Sequence, residues 1–287
     1  MVESVTFFSE GNKIAGHLYL PPTTPAKAVV LCHGFAGIKE ILLPAYAQAF
    51  ANNGYAALVF DYRGFGESEG ERGRFVPLEQ VADIRNAMTY LQTRPEVRRD
   101  AIGLWGTSFG GANAIHAAAY DERVRALVVQ ITFASGERMV LGGQDEAGKA
   151  KVRATIQKVW EREVTTNKKM LLAPDQILTD DDSKAFYGGM MQKHETLRTK
   201  IPLVTLKHII EYIPEDAVPA LCVPISIIGA EDDIVCPVSE SKALFAAANE
   251  PKELHIIPHA RHFTVYEGTS FTLSSGYAIA WMNKHLS

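Results

Sequence analysis

A serine set among glycines, Gly106-Thr107-Ser108-Phe109-Gly110, is the stretch of this chain best suited to do chemistry. The run Ala101-Ile102-Gly103-Leu104-Trp105 before it is apolar and of strand length. Residues 111–119 after it are rich in alanine, the best helix former. A serine at a glycine-flanked strand-to-helix turn is held in a strained backbone conformation. Its hydroxyl is exposed at the sheet edge, with the positive end of the helix aimed at the reacting centre. Because a serine hydroxyl is a weak nucleophile, Ser108 needs a base, a group to orient that base, and donors for an oxyanion.

In an open α/β sheet those partners belong just beyond the C-terminal ends of other strands. His262, in Pro258-His259-Ala260-Arg261-His262-Phe263, follows an apolar run at 253–257, with His259 nearer the run and His255 inside it. Gly229-Ala230-Glu231-Asp232-Asp233 follows the run at 224–228 and supplies the carboxylate candidates. Serine, acid and histidine therefore come in the chain order this arrangement requires. The oxyanion donors are expected to be the backbone amides of Phe109, directly after the serine, and of Phe35 in His33-Gly34-Phe35-Ala36-Gly37. A metal set from His255, His259 and His262 is not expected: a strand–loop path scatters such side chains, and no further Cys or carboxylate cluster completes a site.

The elements that must position these residues alternate. Strands are expected near 5–8, 17–20, 28–32, 56–60, 101–105, 125–131, 224–228 and 253–257, and helices over 44–52, 78–91, 111–119, 239–249 and 273–286. The run at 28–32 is continuously apolar, as in a strand covered on both faces. This alternation predicts an α/β fold with a mostly parallel central sheet flanked by helices. The rhythm breaks between 135 and 220, where helix-like stretches at 149–163 and 183–193 carry many charges. A structureless loop of about eighty residues is improbable inside a compact domain. The segment is therefore read as a helical cap (lid) insertion at 135–220, with the core formed by 1–134 and 221–287. Trp160, Phe186, Tyr187, Met190 and Met191 are expected to pack the cap on the body, a minority of them lining an acyl pocket. Asp180-Asp181-Asp182 reads as a solvated face or a helix start.

The chain has 287 residues, 47% hydrophobic and 22% charged, with a formal net charge of -4. That charge gives no basic footprint for nucleic acid. No apolar run reaches membrane-spanning length, and the first residues lack a basic segment followed by an apolar one, so neither a membrane partner nor a secretory signal is expected. Cys32, Cys222 and Cys236 are an odd number and suit a reducing cytoplasm, as small core hydrophobes.

With those motifs in place, the chain resembles the α/β-hydrolase superfamily, near the dienelactone-hydrolase-like and X-Pro dipeptidyl-peptidase (S15)-like serine esterases. The resemblance rests on His33-Gly34-Phe35, Asp61-Tyr62-Arg63-Gly64-Phe65-Gly66-Glu67-Ser68, Gly106-Thr107-Ser108-Phe109-Gly110-Gly111, Gly229-Ala230-Glu231-Asp232 and Ala260-Arg261-His262. It implies Ser108 as nucleophile, His262 as base, the late Asp as its orienter and the amides of Phe35 and Phe109 as the oxyanion hole, with Asp61 to Ser68 a scaffold turn. Such proteins commonly carry the acid three residues after the strand-ending glycine and a proline four residues after the acid. Asp232 meets the first spacing and Asp233 the second, Pro237 sitting one place late. The strand end fixes where an acid emerges while the following loop absorbs an extra residue, so Asp232 is the expected acid. The implied function is hydrolysis of an ester or thioester of a small acyl substrate through an acyl-enzyme, with no cofactor and no metal. Acyl transfer or carrier-protein thioesterase activity, peptidase activity on small peptides, perhydrolysis and a binding-only role are the alternatives. A homodimer is left open.

Overall fold

The continuous apolar runs form the parallel centre of one large sheet. In the computed structural model, which describes residues 1–286, the strands in chain order are β1 (Val2–Ser9), β2 (Asn12–Tyr19), β3 (Ala26–Cys32), β4 (Tyr55–Phe60), β5 (Val97–Thr107), β6 (Val124–Gln130), β7 (Leu171–Leu172), β8 (Ile201–Pro202), β9 (Ile225–Ala230) and β10 (Lys252–Ile257). Eight of them build one sheet in the order β1-β2-β4-β3-β5-β6-β9-β10, while β7 and β8 pair with each other. β2 is antiparallel to both β1 and β4, and every pairing from β4 to β10 is parallel.

Parallel strands need crossovers, and helices supply them on both faces. α1 (Leu43–Asn52) and α11 (Gly268–His285) cover one face; α2 (Pro77–Thr93), α3 (Phe109–Ala119) and α10 (Val238–Ala247) cover the other. The two-residue period of β3 shows why its run is apolar throughout. Ala28, Val30 and Cys32 face α2 and α3, and Val29 and Leu31 face α1. This is an α/β-hydrolase fold, with a mostly parallel sheet flanked by helices. Among the described residues no helix is long and apolar enough to cross a membrane. Cys32 and Cys236 are buried as expected, but Cys222 is exposed.

Between β6 and β9 the chain forms α4 (Gly136–Leu141), α5 (Glu146–Thr166), α6 (Pro174–Ile177), α7 (Asp181–Lys193), α8 (Thr205–Ile210) and α9 (Pro214–Ala217). Asp180 caps α7, its side chain accepting from the Ser183 amide at 2.8 Å. The last part of this segment enters the main core: Ile201, Ile209, Tyr212 and Val218 are buried with the α3 face, and the Tyr212 ring stacks on Phe109 at 5.9 Å.

The loop after β3 is fixed from below by a buried cation. Lys39, only 1% exposed, directs its Nζ to Asp61 at 2.9 Å, Glu67 at 2.7 Å and Glu40 at 2.6 Å. Its amide also donates to Asp61 Oδ1 at 2.7 Å. The turn after β4 is thus tied to the loop after β3. Arg63 of the same turn is buried too, in an ion pair with the fully buried Asp83 at 2.6 Å, so its role is more than an ordinary surface contact. Removing one member of a buried pair strands the other charge. Lys39→Met is expected to lower unfolding free energy by about 3–5 kcal/mol in denaturant titration. Glu67→Gln, at a side chain 64% exposed, is expected to cost under about 1 kcal/mol.

Candidate active site

β5 ends at Thr107 and α3 begins at Phe109, which leaves Ser108 alone at the turn with φ 52° and ψ −128°. That left-handed φ is costly for a residue with a Cβ. Backbone bonds hold it in place: the Ser108 amide donates to Gln130 O at 2.9 Å and its carbonyl accepts from Gly111 at 3.0 Å. The first turn of α3 lies so close to the end of β3 that a Cβ on Gly110 would sit 2.1 Å from Cys32 O and 2.4 Å from His33 O. Only glycine permits that approach. On the other side of the contact, a Cβ on Gly34 would lie 3.1 Å from Ser108 Cβ. The His33–Gly37 loop therefore runs directly beside the serine.

His262 is buried, and its two ring nitrogens reach two partners. Nε2 lies 3.1 Å from Ser108 Oγ, and Nδ1 lies 2.8 Å from Asp233 Oδ2. A carboxylate only accepts, so Nδ1 carries the proton and Nε2 is left free to accept from the serine hydroxyl. The acid against His262 is Asp233, where the spacing from the strand end pointed to Asp232. The reason is that the chain turns at once after β9 and this turn is tied to the neighbouring segment: the Glu231 amide donates to Ile257 O and the Asp232 amide to Ala260 O. Glu231 and Asp232 are the central residues of a turn closed by the Asp233 amide on Ala230 O at 3.5 Å, so the Asp232 side chain is exposed and Asp233 is the first acid directed inward. Asp233 Oδ1 then caps that turn, accepting from the amides of Val235 at 2.8 Å and Cys236 at 2.9 Å. This ties the acid to the start of α10, whose N-cap is Pro237. The proline spacing was the physically relevant signal.

His255 and His259 take no part. His255 contacts Glu253 and stacks on Tyr277 at 4.0 Å, while His259 points to solvent with φ 55°.

Phe109, the first residue of α3, presents an N–H with no acceptor inside its helix. Phe35 belongs to the loop that passes Ser108, and its ring packs on Phe75 at 4.8 Å. Both amides thus lie on backbone adjoining the serine. The Phe35 carbonyl accepts from Tyr187 Oη at 2.5 Å. Tyr187 lies on α7, and burial pushes its phenol well above its ordinary pKa, which keeps it a hydrogen-bond donor. Around this bond Tyr187 and Leu197 pack with Ile38 and Ile41 of the loop.

α7 also grips the segment that carries His262. Phe186 stacks on Phe263 at 4.2 Å, and Asp182 pairs with Arg261 at 2.8 Å. Over Ser108 these contacts leave a space of only about 20 Å³, walled by Phe35, Leu178, Phe186, Tyr187, Phe263 and Tyr266. That is room for about one water molecule. Nothing in the spacing of the chain singled out Tyr187. Phe186 and Tyr187 pack on the body as their apolar character predicted, whereas Trp160 is exposed and its ring lies under Lys207 Nζ at 5.0 Å.

His33 lies beneath the loop, fully buried. Nε2 donates to Ile41 O at 3.1 Å, and Nδ1 has no partner. Burial pushes this imidazole down to about 4. Between that value and about 6.5 the unfolded chain binds a proton that the folded chain refuses, so stability falls as pH drops through this window. Replacing it by His33→Gln is expected to make the fall shallower by up to about 3 kcal/mol across the window. Denaturation midpoints of both proteins at pH 7, 5.5 and 4 measure that difference; parallel curves would show that the folded chain protonates His33 as readily as the unfolded chain does.

The family model described as "Serine aminopeptidase, S33" matches residues 23–269. The chain is 38% identical over 259 residues to an uncharacterized 31.7 kDa protein in the traX-finO intergenic region of Escherichia coli, covering 90% of this chain and 91% of that one. It is 31% identical over 283 residues to thiohydrolase aneE of Aspergillus aculeatus, covering 91% and 86%. Among solved structures, DcsB in complex with its substrate analogue is similar in fold, with a TM-score of 0.88 at 24% identity, covering 99% of this chain and all of that one. The chain is a member of the S33 family and an enzyme of the α/β-hydrolase type.

Proposed function

We propose that this protein is a serine hydrolase that cleaves a thioester or ester of a small acyl group through an acyl-enzyme, with Ser108, His262 and Asp233 as its triad. The observation that carries the reading is the unbroken hydrogen-bonded chain from Ser108 Oγ through His262 to Asp233, at 3.1 and 2.8 Å. The thiohydrolase relative favours a thioester substrate.

Ser108 Oγ attacks the acyl carbonyl carbon while His262 Nε2 takes the hydroxyl proton. Asp233 holds the imidazole in the tautomer that can accept and stabilises the imidazolium formed. The negative charge on the carbonyl oxygen is met by the amides of Phe35 and Phe109, each donor of this kind contributing about 3 kcal/mol. The tetrahedral intermediate collapses, and His262 returns the proton to the departing thiolate or alkoxide. A water molecule then attacks the acyl-enzyme, giving its proton to His262, and Ser108 Oγ leaves as the hydroxyl. The 135–220 segment acts as the cap. With about 20 Å³ over Ser108, the site must open to admit a substrate. A second reading, transfer of the acyl group to an amine, alcohol or thiol, is favoured by the relative named polyketide transferase af380 of Aspergillus fumigatus, 27% identical over 289 residues.

Thioester turnover is expected to fall by about 10⁴ or more in Ser108→Ala and to roughly that extent in Asp233→Asn. Asp232→Asn is expected to stay within about twofold of wild type, since its side chain is exposed. Steady-state assays of the three purified variants decide the matter. Loss in Asp232→Asn with retention in Asp233→Asn would refute the assignment, and Ser108→Ala at wild-type rate would end the hydrolase reading.

A further inference from the structure

The space over Ser108 is too small for any acyl chain, yet a larger cavity shares its wall. This second cavity, of about 440 Å³, lies between the helices of the 135–220 segment and the turn after β9. Phe35 and Leu178 line both spaces. From α4 it is lined by Met139 and Val140, from α5 by Val152, from α6 by Ile177, and from α8 by Leu206 and Ile209. Ile234 and Val235, the two residues after Asp233, line its outer side, with Ile234 61% exposed at the rim.

The lining chemistry restricts what fits. The side chains are almost all aliphatic, and the polar ones present are Thr179 and Asp180. Asp180 Oδ1 accepts from the Ser183 amide, and the carboxylate disfavours an anionic chain. A hydroxylated or charged chain would lose water there without gaining partners. A volume of 440 Å³ falls within the range of small-molecule sites.

We infer that this cavity is the acyl subsite, that it takes an unbranched medium-length aliphatic chain, and that Leu178 is the movable partition between it and Ser108. The inference rests on the hydrolase reading above. Of the two shared wall residues, Phe35 is buried and packed on Phe75, whereas Leu178 is half-buried at the C-terminus of the one-turn helix α6. Leu178 is therefore the side chain that can turn aside. An acyl carbonyl held at Ser108 then sends its chain past Leu178 and out of water. Each buried methylene raises kcat/KM by up to about fourfold until the cavity is full.

The test is a series of straight-chain N-acetylcysteamine thioesters from acetyl to dodecanoyl, assayed with wild type, Val140→Trp, Val152→Trp and Val164→Trp. Val164 lies on α5 with its side chain exposed and away from the cavity, and serves as the control. Wild type is expected to prefer octanoyl or decanoyl over acetyl by at least tenfold. Val140→Trp and Val152→Trp fill the cavity from two different helices and are expected to lower the decanoyl-to-acetyl ratio at least tenfold, with Val164→Trp keeping it. Thermal melts identify a variant that fails to fold, and the other filling variant then carries the result. An unchanged ratio in the folded filling variants, or no chain-length preference in wild type, overturns the subsite. Decanoate binding to Ser108→Ala, read by calorimetry, separates the two ideas. Binding that is lost when Val140→Trp is added supports the cavity even where no thioester turns over, and binding that survives the addition overturns it. Failure of the hydrolase reading shows instead as thioester turnover independent of Ser108.

Discussion

The constraint on which the site depends is backbone against backbone, where the first turn of α3 meets the carbonyls at the end of β3 across Gly110. No side chain fits between them. That contact sets the depth of Ser108 at the sheet edge and brings the loop after β3 alongside it. A parallel sheet makes the arrangement possible because β3 and β5 are neighbours and end at the same edge. β9 and β10 end there too, bringing Asp233 and His262 to the same edge. The positive φ of Ser108 is tolerated because its amide and carbonyl are both bonded to the frame. Stability elsewhere in the sheet holds the strain in place.

A second layer of control acts through buried charge. Lys39 and Asp61 join the loop after β3 to the turn after β4, so the loop carrying Phe35 is anchored at its far end as well as beside the serine. Glu40, Asp61 and Glu67 bring their carboxylates close enough together to suggest a cation site, but the Lys39 ammonium already sits among them. The tripled acid is thus explained by the lysine. Rigid support of this kind is what keeps an oxyanion donor aimed at one point.

Most of the architecture could be read from the chain because parallel strands buried on both faces leave continuous apolar runs, and the runs at 28–32, 56–60 and 101–105 fall within β3, β4 and β5. The serine and histidine were legible for the same reason: each follows a strand, and strand ends share an edge. The acid against His262 lies one residue later than the strand-end spacing suggests because Glu231 and Asp232 form a turn whose amides bond to Ile257 O and Ala260 O. Such pairing depends on where the neighbouring chain runs after β10, which local pattern does not encode. That Phe186, Tyr187, Met190 and Met191 pack α7 on the body was legible from their apolar character, but the individual partners were not. Tyr187 reaches Phe35 across a long separation in sequence, and nothing near either residue marks the meeting.

Those contacts also fix how readily the site opens. α7 is held to the two active-site loops by three kinds of bond with different strengths. The Arg261–Asp182 pair is half in solvent and is worth at most about 1 kcal/mol. The Phe186–Phe263 stack adds about 0.5–1.5 kcal/mol beyond its burial, and the Tyr187–Phe35 hydrogen bond a similar net amount. Together these specific contacts contribute a few kcal/mol. On the proposed reading of α7 as part of a lid, contacts of that strength would keep it closed nearly all the time while leaving an open state within the roughly 0.1–10% range from which a ligand can select. A weaker grip would leave Ser108 open to bulk water, and a much stronger one would bar the substrate. Because Tyr187 bonds to the loop that carries Phe35, closing α7 and bracing that loop are one event. Under the proposed mechanism, the helix that would exclude water is therefore also the one that holds the backbone beside Ser108 in place.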